Sequence, residues 1–140
     1  MYQKILVPTD GSDCATNAAA EAVSVAAQFD AEVHALYAVD VRISRPNAEV
    51  ETYREEMRAE GEGAIGEVEQ LAGREGVEYV SDIRVGDPRD VVTEYADDAD
   101  IDLIVMGTHG RRGIERMVLG SITEGVVRMS DVPVLTVPRS

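Results

Sequence analysis

Hydrophobic positions along this chain follow two alternating periodicities. Five short β-type runs, 4–9 (KILVPT), 32–39 (EVHALYAV), 77–85 (VEYVSDIRV), 102–106 (DLIVM) and 133–137 (PVLTV), read as strands. The first and fourth are almost continuously apolar, as expected of strands covered on both faces. Between the runs, apolar residues recur at helical spacing. Ala15, Ala18, Ala19, Ala22, Ala26 and Phe29 predict one buried stripe, whose small residues let a helix lie close to a sheet. Val50, Tyr53, Met57, Ala64, Val68 and Leu71 predict a longer stripe among many acids. Asp87-Pro88 opens a third helix, with Asp at the N-cap, Pro at the first helical position, and Val91, Val92, Tyr95 and Ala99 as its buried face. Ser121 with Glu124 predicts a capping box at the start of a fourth.

Strands alternating with crossover helices imply a parallel, three-layer α/β sheet. No internal repeat or linker interrupts the alternation, so residues 1–140 are expected to form one domain. That length builds a core without disulfides or structural metals. Charge then narrows the partners. Acidic residues number 27 against 13 basic, a net charge of −14, and Lys4 is the sole lysine. A nucleic-acid surface needs a basic stripe, and an anionic membrane surface needs the same sign, so both partners are disfavoured. Acid excess with almost no lysine also points to adaptation to high salt, as in a halophile, where self-repulsion is screened. The lone Cys14 excludes an internal disulfide framework and a multi-cysteine zinc site. No apolar window is long enough to span a membrane, and the first apolar stretch is too short for a signal peptide. A cytoplasmic location is expected.

Two glycine patterns compete for attention. Gly61, Gly63 and Gly66 match the dinucleotide fingerprint G-x-G-x-x-G, which works only after a strand and at the start of a helix. They lie instead inside the acidic helical segment, where Glu55, Glu56, Glu60, Glu62 and Glu67 would repel phosphate, so a weakened or bent helix is the reading there. The segment from Gly107 to Ser121 is different. It follows the apolar run 102–106 directly and ends at a helix start. Gly107 and Gly110 allow backbone N–H groups to approach a ligand, while Gly120-Ser121 offers helix N-terminal donors, a hydroxyl and the positive end of a dipole. Such a strand-loop-helix arrangement suits a phosphate.

The spacing G-x2-G-x9-G-[ST] through Gly107, Gly110, Gly120 and Ser121 resembles the nucleotide-binding signature of the universal stress protein family. Likeness extends along the whole chain, through ILVPTDGS at the start, the strand ending Ala38-Val39-Asp40, the GDPRD helix start and the closing SDVPVLTVP. The resemblance implies a Rossmann-like fold of the adenine nucleotide alpha hydrolase type, with a five-stranded parallel sheet ordered 3-2-1-4-5. It also implies ATP or another adenine nucleotide as ligand and a homodimer joined through the last strand, 133–138. In that order the first and fourth strands flank the topological switch point, which places Asp10 and Gly107 at one crevice.

By matching position, Pro8, Thr9 and Asp10 would line the adenosine end, with Asp10 on ribose hydroxyls or on a phosphate-bound Mg or Mn. An Asx-turn through Asp10-Gly11-Ser12 is the alternative role for that carboxylate. The backbone of Val39 would meet the adenine edge and Met106 would pack near the ribose or base; a plain strand end and a core methionine are the alternative readings. Gly107, Thr108, His109, Gly110, Arg111 and Arg112, with Gly120, Ser121 and Ile122, would wrap the phosphates; the arginines are equally readable as solvated loop charges. His34 reads as structural, Cys14 as a small buried residue, and Asp97, Asp98, Asp100 and Asp102 as an acidic turn that needs no metal. There is no G-x4-G-K-[ST] motif, no lysine beside the glycines and no Ser-His-Asp or Cys-His arrangement in the strand-end loops. The related hydrolases carry S-G-G-x-D-S after the first strand, where this chain has Thr9-Asp-Gly-Ser-Asp13. The resemblance implies nucleotide-dependent regulation in stress tolerance as the leading expectation, and these missing motifs leave slow hydrolysis at most. A weak ATP hydrolase and an interaction protein with an empty site are the alternatives.

Overall fold

The computed structural model describes residues 1–40, 50–109 and 119–138. Its elements run β1 (Lys4–Pro8), α1 (Asp13–Phe29), β2 (Glu32–Val39), α2 (Val50–Arg74), β3 (Tyr79–Val85), α3 (Pro88–Asp98), β4 (Leu103–Gly107), α4 (Ser121–Met129) and β5 (Val134–Val137). All strand pairs are parallel and the order is β3-β2-β1-β4-β5, as the resemblance implied. Side chains of successive residues leave opposite faces of each strand. Ile5, Val7, Val33, Ala35 and Val105 pack with α1 and α2 on one side. Leu6, Leu36, Ile104 and Met106 pack with α3 and Val126 of α4 on the other. This double cover is why β1 and β4 are apolar without alternation.

Strand limits move for local reasons. Val77 donates its N–H to Ala72 at 2.9 Å and Gly76 sits at φ +67°, so the chain is still closing α2 where a strand was expected. β3 therefore starts at Tyr79. The Asp102 carboxylate accepts from the Gln3 N–H at 2.9 Å, so this residue tethers the entry to β1 and β4 begins one position later. Among the described residues, no helix is long and apolar enough to cross a membrane.

The first stripe packs as expected through Ala15, Ala18, Ala19, Ala22 and Ala26, but Phe29 does not join it. At the last helical position it is 45% exposed and meets Tyr2 edge-on, with ring centroids 5.3 Å apart. In α2, Tyr53, Ala64 and Val68 are buried while Met57 and Leu71 are half-buried; the side chain of Val50 lies outside the described set. The three glycines of the decoy fingerprint lie within this same helix. A Cβ on Gly61 would sit 2.6 Å from the Tyr37 ring, so that glycine lets the helix settle on the sheet. Asp87 caps α3 by accepting from the Arg89 N–H, as predicted, whereas Ala99 is the half-buried C-cap. The predicted capping box does not form. Gly120, not Ser121, is the N-cap of α4, with no side-chain cap hydrogen bond, and Ser121 is the exposed first helical residue.

Candidate functional site

The carboxyl ends of β1 and β4 are neighbours around which the connections diverge, and a cleft of about 110 Å³ opens there. Pro8, Thr9 and Asp10 enter it from β1, and Met106, Gly107 and His109 from β4. Ile122 closes it from the first turn of α4. Segments distant in the chain thus converge because parallel strands all present their carboxyl ends to one edge.

Local bonds set the β1 exit. Thr9 donates its N–H to Leu36 at 2.9 Å and accepts the Gly11 N–H on Oγ1 at 3.2 Å. Asp10 Oδ1 accepts the Ser12 N–H at 2.9 Å, and Gly11 turns through φ +80°. The Asx-turn is therefore real. Ser12 then caps α1 by accepting from the Ala15 N–H.

The β4 exit differs from what the sequence implied. Gly107 is the last strand residue, and a Cβ there would lie 2.6 Å from Cys14 Cβ and 2.9 Å from the Cys14 carbonyl carbon. Its missing side chain admits the first turn of α1, not a sharp turn of its own. Thr108 lies beside the cleft: it donates its N–H to Val137 at 3.0 Å, accepts the Gly120 N–H at 2.8 Å, and pairs through Oγ1 with His109 Nδ1 at 3.1 Å. The Gly120 N–H is consequently engaged within the fold. The remaining N-terminal donors of α4 belong to Ser121, Ile122 and Thr123, which no earlier turn of the helix can satisfy. Gly110, Arg111 and Arg112 lie outside the described residues.

Val39 is buried on the α1–α2 side, and its carbonyl accepts the Gly86 N–H at 3.0 Å. It is not among the residues that line the cleft, although the resemblance implied contact there. Six wall residues escaped sequence reasoning: Ala15, Leu36, Ala38, Pro88, Val92 and Thr123. The strand period could have found Leu36 and Ala38, which leave β2 on the opposite face from Val39. Nothing local marks Pro88 or Val92, which depend on how α3 crosses the sheet. Thr123 is buried, and its hydroxyl donates to the Gly107 carbonyl at 2.8 Å.

His34 lies elsewhere and is structural. It is 5% exposed, with Nδ1 2.7 Å from the Tyr95 hydroxyl and Nε2 2.6 Å from Glu32 Oε1. This chain ties α3 to β2 away from the cleft. Burial, with the Asp82 carboxylate nearby, holds the Tyr95 phenol above its ordinary range, so it stays a neutral hydroxyl. Among the described residues, no group of His, Cys, Asp and Glu is placed to hold a metal ion.

Comparison with known proteins meets this geometry. The model of the universal stress protein family matches residues 1–138. Universal stress protein MJ0531 of Methanocaldococcus jannaschii is 40% identical, over 99% of this chain and 84% of the relative. The solved universal stress protein UspA from Lactobacillus plantarum superposes with a TM-score of 0.83 at 33% identity, covering 97% of each chain. A universal stress protein solved in complex with cAMP gives a TM-score of 0.77 at 29% identity, covering 99% of each chain.

Proposed function

This chain belongs to the universal stress protein family, and on that premise we propose that it is a single nucleotide-binding domain whose strand-end cleft takes ATP or another adenine nucleotide. One observation carries the reading. Pro8, Thr9, Asp10, Met106, Gly107, His109 and Ile122, each nominated from the sequence, line one cleft at the switch point. A family member of the same fold solved with cAMP supports adenine as the base.

In this reading the apolar wall of Leu36, Ala38 and Val92 receives the base. Asp10 holds ribose hydroxyls, or a Mg or Mn ion carried by the phosphates. The N-terminal donors of α4 meet the phosphates, which the helix dipole favours. Occupancy would serve regulation in stress tolerance. Isothermal titration with ATP and magnesium, in dilute buffer and in molar KCl, should give saturable binding in the micromolar range. Absence of binding at millimolar ATP in both buffers would leave the family fold with an empty site.

We also propose a homodimer through β5. Among the described residues this strand is the last of the sheet and pairs with β4 alone, and Leu135 on it is 40% exposed. Tyr2, Val25, Phe29, Pro133 and Val134 continue the apolar surface beside it. The exposure of Phe29 fits a second copy that covers it, with each β5 meeting its own copy antiparallel about a two-fold axis. Leu135→Asp should run as a monomer in sedimentation at micromolar concentration while still binding ATP. A wild type already monomeric there would refute the dimer.

A further inference from the structure

The start of α4 is held in place without an ordinary cap. Its N-cap is Gly120, which contributes no side-chain hydrogen bond. Two tethers replace the cap, and both end on the exit of β4. The Gly120 N–H donates to the Thr108 carbonyl and the Thr123 hydroxyl donates to the Gly107 carbonyl, each at 2.8 Å. They grip successive carbonyls from two points of one helical turn, so they fix both the position of that turn and its rotation about the helix axis. The first tether is backbone and survives any side-chain change. The second depends on a single hydroxyl.

Thr123 lies in the first turn of α4, where the helix has no earlier turn whose carbonyl its hydroxyl could meet. It is 3% exposed and reaches 16 residues back to the sheet. It also forms part of the cleft wall beside Ile122. We propose that Thr123 is a positioning residue for phosphate: it aims the N–H groups of Ser121 and Ile122 at the ligand and so sets how strongly the site prefers phosphorylated adenosine to adenosine. The inference rests on the nucleotide reading given above. It follows from geometry, because hydrogen bonds to an anion weaken steeply with misalignment whereas an apolar wall tolerates small shifts.

The test compares dissociation constants for ATP and adenosine in wild type, Thr123→Val and Thr123→Ser. Valine keeps the shape and removes the donor; serine keeps the donor. Wild type should prefer ATP. Thr123→Val should weaken ATP about tenfold and leave adenosine within about twofold, and Thr123→Ser should keep the wild-type ratio. Equal losses for both ligands in Thr123→Val, or an unchanged ratio, would overturn the positioning role. A wild type with no preference for ATP would instead remove the phosphate reading, visibly before any substitution, and this inference with it. Adenosine binding by the valine variant reports that the cleft remains folded.

Discussion

Gly120→Glu should abolish measurable ATP binding while the protein melts at or above the wild-type temperature. The backbone permits the change because Gly120 adopts φ −60° and ψ 152°, an extended conformation open to any residue. Its N–H bond to Thr108 is a backbone bond and is retained. A carboxylate at a helix N-terminus is itself favourable by about 0.3–1 kcal/mol, so stability is not lost. The same carboxylate occupies the place proposed for phosphate. Two unit charges about 4 Å apart at an effective dielectric constant of about 20 repel by about 4 kcal/mol, roughly a thousandfold in affinity. Calorimetric titration and a thermal melt of one preparation check both halves. Wild-type affinity in this variant would move the phosphates away from α4.

Gly107→Ala tests the opposite kind of glycine. Here the added Cβ meets Cys14 Cβ at 2.6 Å and the Cys14 carbonyl oxygen at 3.0 Å, so backbone of the first turn of α1 must retreat. Forcing a methyl group into such a contact costs about 3 kcal/mol, the upper part of the usual range for overpacking. For a chain of this size that lowers Tm by about 10 °C. The thermal midpoint of the apo protein measures this without any ligand. An unchanged midpoint would mean that α1 slides on the sheet at little cost, and that Gly107 serves the ligand alone. The two glycines belong to one sequence signature, yet they are expected to fail in different ways, one through the ligand and one through layer packing.

The element order was legible because periodicity reports burial. β2 was delimited exactly by its apolar run, and α3 by the Asp87-Pro88 start, since both signals depend only on neighbouring residues. Strand order came from the resemblance, because alternation of strands and helices leaves several parallel orders open. The capping box failed for a local reason that only coordinates reveal. The chain enters α4 at Gly120, whose N–H is already bonded to Thr108, and Ser121 is thereby carried into the helix. Phe29 failed because periodicity identifies a face of a helix but not where the facing sheet ends. Tyr2 and the β5 edge lie there instead of core.

By itself, then, the sequence determined an alternating parallel α/β chain with an acid-rich second helix and a glycine-rich segment of sequence after the fourth strand. Each of these is written in residues close together along the chain. Tertiary structure alone decided which of those residues share a cleft, that Pro88 and Val92 join its wall, that Gly61 and Gly107 are spaces for Tyr37 and Cys14, and that a hydroxyl on α4 hangs from the end of β4. These are contacts between layers, set by how closely helices settle on a twisted sheet, and no periodicity within a single segment encodes that distance.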